Sequence, residues 1–169
     1  MPIRNVNAAT DAAAIAAIYA PFIADTIITF EEEPVSAAEM QKRIESIVAS
    51  PLNYPYIVYE NDDGKVIGYA YGSQFRVRNA YRFTVETSLY LDINEQGKGV
   101  GSLLYKELLK RLKDGGFHSA LGVVSLPNEA SQRLHEKFGF TKCCHLRESG
   151  FKFGKWIDVG MWELLLQDS

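Results

Sequence analysis

Gln96-Gly97-Lys98-Gly99-Val100-Gly101 is a glycine-rich turn between two periodicities. Before it, Phe83 to Leu91 is an extended, β-prone run; after it, Leu103 to Lys113 carries apolar residues at helical spacing. A glycine turn from strand to helix lets backbone N–H groups approach an anion, and the helix N-terminus adds partial positive charge. Phosphate suits such a loop, with Gln96 and Lys98 as side-chain donors. A Walker A loop is excluded, because no Gly-Lys-Ser/Thr follows Gly97 at the required distance. A Gly-x-Gly-x-x-Gly dinucleotide fingerprint is excluded too, because counting from Gly97 the third glycine falls one place early, at Gly101. What remains is Gln-x-x-Gly-x-Gly, which taken alone also fits an ordinary tight turn.

Two other positions carry titratable chemistry. Thr84, Glu86 and Ser88 share one face of the run before the loop, and a carboxylate there can accept a proton. A strand glutamate is also commonly an edge charge or an ion-pair partner. Asn128, Ser131 and His135 are spaced i, i+3, i+7 and share one helix face, with Glu136 and Lys137 on the solvated side. Histidine serves as acid or base near neutral pH, although a lone helical histidine is more often structural. Arg76 and Arg78, two residues apart, point the same way if their segment is extended, and arginine forks bind carboxylate or phosphinate oxygens in pairs. The alternative for both is a solvated loop arginine.

The elements that must position these groups follow from pattern. Ile3 to Val6 reads as a short strand, and Thr10 or Asp11 caps a helix carrying Ile15, Ile18, Tyr19 and Phe22, made irregular near its end by Pro21. Thr26 to Glu31 is an extended connection of unusually apolar character. Ser36 and Glu39 form a capping box for a second helix with Met40, Ile44, Ile47 and Val48, stopped near Pro51. Tyr56–Tyr59 and Val66–Tyr71 form a hairpin around Asn61 to Gly64. After the glycine loop come a helix ending at Gly115-Gly116, a buried-type strand over Leu121–Leu126, and a helix from Glu129 to Phe138. Two final strands lie near Lys142–Arg147 and Val159–Leu166. The order implies one α/β domain, residues 1–169, with a mixed central sheet and helices on both faces.

Composition sets the bounds. Of 169 residues, 47% are hydrophobic and 23% charged, in the range of a globular protein with a real core. No sequence run approaches the roughly 20 apolar residues of a membrane span, and the first residues lack the apolar stretch of a signal peptide, so a cytoplasmic protein with no membrane partner is expected. The net charge of −3 speaks against a broad nucleic-acid footprint. Cys143 and Cys144 are the only cysteines, and neighbours on an extended segment face opposite sides. Even with His145 beside them they are read as reduced thiols, and no metal is expected.

The Gln-x-x-Gly-x-Gly loop resembles the pyrophosphate loop of the Gcn5-related N-acetyltransferases (GNAT), and the order of elements resembles theirs. Asn128 before a helix closed by Gly139-Phe140 resembles that superfamily's next motif. Several phrases are similar to its phosphinothricin and methionine sulfoximine acetyltransferase branch. They are Ile18-Tyr19-Ala20-Pro21, Thr29-Phe30-Glu31, Arg78 to Arg82, Thr84-Val85-Glu86-Thr87-Ser88, Leu134-His135-Glu136 and Gly150 to Asp158. The resemblance implies a sheet whose parallel strands splay apart, acetyl-CoA as co-substrate, and a pantetheine arm paired with the backbone of Leu89, Tyr90 and Leu91. It places the pyrophosphate over Gln96, Gly97, Lys98, Gly99, Val100 and Gly101, with a hydroxyl from Ser102, and the far side of the arm at Asn128 and Ser131.

The same resemblance makes Glu86 the expected base. His135 stands where many superfamily members carry a tyrosine that protonates the leaving thiolate, so it is read as a partner of Glu86 or as the thiolate's acid. Phe30 and Tyr81 are the expected apolar wall of the acceptor pocket, with Arg76 and Arg78 on its anionic end. The implied function is direct acetyl transfer, in a ternary complex, to the α-amine of a small amino-acid-like acceptor such as phosphinothricin or methionine sulfoximine, with toxin resistance as one role. Alternatives are a protein or peptide N-acetyltransferase and a non-catalytic CoA-binding module. A homodimer is expected from the branch and from the aromatic segment Phe151 to Trp156.

Overall fold

A computed structural model describes residues 2–168; Met1 and Ser169, the ends of the expected domain, lie outside the described residues. Among them runs a seven-stranded sheet in the order β1-β2-β3-β4-β5-β7-β6. The strands are β1 (Ile3–Asn5), β2 (Tyr56–Glu60), β3 (Val66–Gln74), β4 (Thr84–Leu91), β5 (Ser119–Ser125), β6 (Thr141–Lys152) and β7 (Lys155–Leu165). The helices are α1 (Ala8–Asp25), α2 (Ala37–Val48), α3 (Val100–Asp114) and α4 (Glu129–Lys137). Every pairing is antiparallel except that of β4 with β5. The expected mixed α/β sheet with helices on both faces is the observed one.

Alternation decides which residues of a strand reach which helix layer. Ile57, Ala70, Val85 and Ala120 face α3, where they meet Leu104, Tyr105, Leu108 and Leu112. Tyr56, Val58 and Tyr69 face α1 and α2, where they meet Ile15, Tyr19, Phe22 and Ile44. Helix α1, at 18 residues, is long and apolar enough to cross a membrane by length and composition, more than the sequence pattern suggested; its buried side is part of this core.

Three local expectations change. Asn7, not Thr10 or Asp11, caps α1, its side chain accepting from the N–H groups of Ala9 and Thr10. Asp11 is drawn instead into a paired contact with Arg4, at 2.8 and 2.9 Å, and Arg4 also binds Glu60. Helix α1 continues through Pro21 to Asp25, because Ile18, Tyr19, Phe22 and Ile23 are buried on both sides of it and their packing outweighs one lost hydrogen bond. Residues 26–31 bend without joining the sheet.

The last two strands are longer than their patterns suggest. A two-residue turn at Phe153-Gly154, both with positive φ, closes the β6–β7 hairpin. Register breaks at Lys142/Cys144 and Leu146/Gly150 interrupt the alternation that a strand shows in sequence. The Ser36 capping box and the β2–β3 hairpin stand where expected.

Candidate active site

The parallel pairing of β4 with β5 covers Thr84↔Ser119, Val85↔Ala120, Glu86↔Leu121 and Thr87↔Gly122, and then stops. Strand β4 runs on to Leu91, paired throughout with β3, and β5 runs on to Ser125, paired with β7. The edges of Ser88–Leu91 and Val123–Ser125 that face each other are therefore unpaired by the sheet. A cavity of 240 Å³ occupies this fork. Ser88, Leu89 and Tyr90 line one side and Val123, Val124 and Ser125 the other. Glu86, Asn128, His135 and Phe30 all line it as well.

Side-chain parity puts the two titratable groups on opposite faces of the sheet. Val85 and Thr87 point toward α3, whereas Tyr90 packs on Tyr19 and Phe22 of α1 at ring distances of 5.1 and 5.3 Å. Glu86, two and four residues from Ser88 and Tyr90, shares the α1 face. Burial, with no charged or hydrogen-bonded partner contributing, raises its pKa above the ordinary 4.5.

His135 lies on the α3 face, its ring against Tyr105, Phe140 and Trp162. Its Nδ1 is 2.7 Å from the carbonyl of Ser131, and a carbonyl only accepts. The neutral ring therefore carries its proton on Nδ1 and keeps a lone pair on Nε2. Burial lowers its pKa below 6.5, opposed in part by the Ser131 carbonyl. Nε2 sits on Gly122, where any Cβ would overlap it. No hydrogen bond joins Glu86 and His135 among the described residues, although both line the same cavity. Thr87 Oγ1 donates to the Leu121 carbonyl at 3.2 Å, which leaves Tyr105 O–H to donate to Thr87 at 2.7 Å. Burial raises the Tyr105 pKa further, so its proton is committed.

The glycine loop joins β4 to α3 beside the fork. Gly97 and Gly99 have φ of 78° and 84°, and a Cβ on either would meet nothing within 4 Å, so the loop backbone faces open space. Gly99 caps α3 without a side-chain hydrogen bond, leaving its first-turn N–H groups available to an anion. Lys98 is ion-paired to Glu95 at 2.9 Å, and Ser102 Oγ accepts from Lys137 at 3.0 Å. Asn128 caps α4 through Oδ1, which accepts from Ser131 N, and this leaves its Nδ2 donors for the cavity. An unpaired strand edge ending at an anion-binding helix start fits an extended, amide-bearing chain that carries a phosphate group.

A model of the acetyltransferase (GNAT) domain matches residues 3–162. The chain belongs to this family. A phosphinothricin N-acetyltransferase of Streptomyces viridochromogenes is 40% identical over 161 residues, which cover 95% of this chain and 85% of that protein. An L-methionine sulfoximine/L-methionine sulfone acetyltransferase of Pseudomonas aeruginosa is 32% identical over 164 residues, covering 97% and 94%. Among solved structures, a GNAT superfamily phosphinothricin acetyltransferase from Sinorhizobium meliloti in complex with acetyl-CoA superposes with a TM-score of 0.92 at 38% identity, covering 98% of this chain and 89% of that one.

In this acetyltransferase the fork gathers Glu86, Leu89, Tyr90, Asn128, His135 and Phe30, while Leu91 continues β4 toward Gly101. Ser131 lies behind His135, with its carbonyl and hydroxyl both near Nδ1. Arg76, Arg78 and Tyr81 stand outside the cavity lining. Their segment bends, so the two arginines do not share a strand face; Arg76 lies over the rings of Phe75 and Tyr81, at 5.0 and 5.3 Å, and Arg78 precedes a short turn at Asn79–Tyr81. Pattern missed Ile28, Thr29, Leu134 and Val159 in the lining, and the Tyr105–Thr87 bond. The lone glycine within β5 was a usable signal, since strand glycines mark close approach.

Proposed function

We propose that the whole chain acts as one acetyl-CoA-dependent N-acetyltransferase domain for phosphinothricin- or methionine-sulfoximine-like amino acids, by direct transfer in a ternary complex. The fork with Glu86 at its α1 face carries this proposal. Leu89, Tyr90 and Leu91 would pair with the pantetheine amides, the loop from Gln96 to Gly101 and Ser102 would hold the pyrophosphate, and Asn128 and Ser131 would close the far side. The acceptor enters as an ammonium, and Glu86 takes its proton. The free amine nitrogen then attacks the acetyl carbonyl; the C–N bond forms, the C–S bond breaks as the sulfur leaves as thiolate, and the nitrogen gives its second proton to that thiolate, leaving the neutral amide and the CoA thiol. With Nδ1–H committed to Ser131, neutral His135 offers an acceptor, not a donor, so we assign it proton acceptance or orientation in place of protonating the thiolate.

Phe30 forms the apolar wall, and Arg76 and Arg78, with Tyr81, gather the anionic end from the β3–β4 connection. The names of the relatives support this acceptor class. We further propose a cytoplasmic homodimer joined near the β6–β7 turn, where Phe151, Phe153 and Trp156 are all more than half exposed and Phe151 packs on Trp156 at 4.8 Å. The acceptor assignment is tested by thiol release from acetyl-CoA with phosphinothricin, methionine sulfoximine, methionine sulfone, spermidine and a short peptide. The amino-acid analogues are expected to turn over best, and Arg76→Ala and Arg78→Ala to raise their KM about tenfold. Faster turnover of spermidine or peptide, with both arginine variants silent, would refute the assignment.

A further inference from the structure

Residues 26–31 form a wall of the fork cavity through Ile28, Thr29 and Phe30, yet they belong to no strand or helix. A connection of that kind is free to move unless something ties it. The ties come from the opposite end of the sheet order, from β6. Lys152 is only 1% exposed, and its Nζ donates to the carbonyls of Thr26 at 2.7 Å and Thr29 at 2.8 Å. A buried ammonium is costly unless hydrogen-bonded, and these two carbonyls supply the bonds. Tyr19 holds Thr29 from the other side, hydroxyl to hydroxyl at 2.6 Å.

Between those ties the Phe30 ring lies on Gly150. A Cβ at Gly150 would overlap the ring at Cζ and Cε2. The φ of Gly150 is not in the left-handed region, so its backbone would accept alanine, and the obstacle is the Phe30 ring itself. The register break between Leu146 and Gly150 brings Gly150 to this place, opposite Ile157. Asp158 Oδ1 holds the break by accepting from Glu148 N at 2.8 Å.

We propose that Gly150 and Lys152 are positioning residues that set the Phe30 ring against the acceptor and thereby limit the size of its side chain. This rests on the fork cavity being the transfer site. Neither residue lines the cavity; both act through residues 26–31.

The experiment is a double-mutant cycle of Gly150→Ala and Phe30→Ala, with phosphinothricin as acceptor and acetyl-CoA as donor. Lys152→Met and Lys152→Arg are measured beside it. Gly150→Ala alone is expected to raise the phosphinothricin KM about tenfold while the Kd for acetyl-CoA stays within about twofold. In the Phe30→Ala background the same substitution should add less than about twofold, because the ring it displaces is gone. Lys152→Met should raise the same KM, and Lys152→Arg, which keeps the charge and donors, should restore part of it. A Gly150→Ala effect undiminished without Phe30, or one that moves acetyl-CoA affinity equally, would overturn the proposal. The cycle changes no charge or hydrogen bond, so the test stands even if Lys152→Met fails to fold. If Phe30→Ala leaves the phosphinothricin KM unchanged, the placement of the acceptor in the fork falls instead, whatever Gly150→Ala does.

Discussion

Glu86→Gln exchanges one carboxylate oxygen for an amide of the same size, so it removes proton acceptance while leaving the fork's shape intact. Burial is the one influence shifting the Glu86 pKa, and it moves the group upward from 4.5, toward the range useful to a base near neutral pH. A positioned general base contributes about 10² to 10⁴ in rate. The expected loss in kcat with phosphinothricin is therefore at least about 10²-fold, equivalent to ~2.7 kcal/mol of transition-state stabilisation. Stability should respond in the opposite sense. A carboxyl whose folded pKa is raised stabilises the fold below its unfolded pKa, and that contribution is lost as pH rises through the folded value. At neutral pH the buried charge is a liability that glutamine lacks, so the variant should unfold at the same temperature or higher. A thiol-reactive dye following CoA release gives kcat, and calorimetric titration gives the acetyl-CoA Kd, which should not change. The wild-type rise of kcat/KM with pH through the Glu86 pKa should vanish in the variant. Near-normal turnover with that rise intact would remove Glu86 from the chemistry and leave it a desolvated strand charge.

Three further outcomes are expected. Gly99→Val, at φ 84°, and Gly101→Val, whose Cβ would sit 3.3 Å from Leu91 Cδ1, should abolish acetyl-CoA binding by calorimetry, and normal binding by both would refute the loop assignment. His135 has a folded pKa below 6.5, so its contribution to stability is present above that pH and is lost as pH falls toward the lowered value. The thermal midpoint of wild type should therefore drop more between about pH 7 and pH 5 than that of His135→Gln; parallel curves would contradict a buried neutral imidazole. Light scattering at micromolar concentration should show a dimer that Trp156→Glu dissociates, and a fully active wild-type monomer would contradict the hairpin interface.

Local chemistry was legible where a signal within one turn of chain has no long-range competitor. The Ser36 side chain does accept from Glu39 N, and the Asn61–Gly64 turn does close its hairpin. The fork was legible only through the family resemblance, because the end of a strand pairing has no signature in either strand alone. The cap of α1 was misassigned because Asp11 answers to Arg4, and Arg4 in turn to Glu60, a residue far along the chain. Period-two alternation placed Glu86 with Ser88 correctly, yet gave no hint that His135 would lie across the sheet from it. That depends on which face receives α4, a tertiary choice. The wall formed by residues 26–31 was hidden for the same reason, its tie to Lys152 reaching more than a hundred residues along the chain to β6.

The fork also bears on self-association. Unpaired strand edges are templates for pairing with other chains, and proteins blunt the edges they cannot cover. The outer edges of this sheet are blunted: β1 has only three residues, and β6 is broken by two register shifts and carries Lys142, Arg147 and Glu148. Two further free stretches of backbone, Ser88–Leu91 and Val123–Ser125, face each other inside the sheet, between β4 and β5. An edge so placed admits a narrow extended chain and excludes a neighbouring protein's strand. The protein can thus keep several backbone amides open for a ligand without exposing the sticky border that would otherwise accompany them.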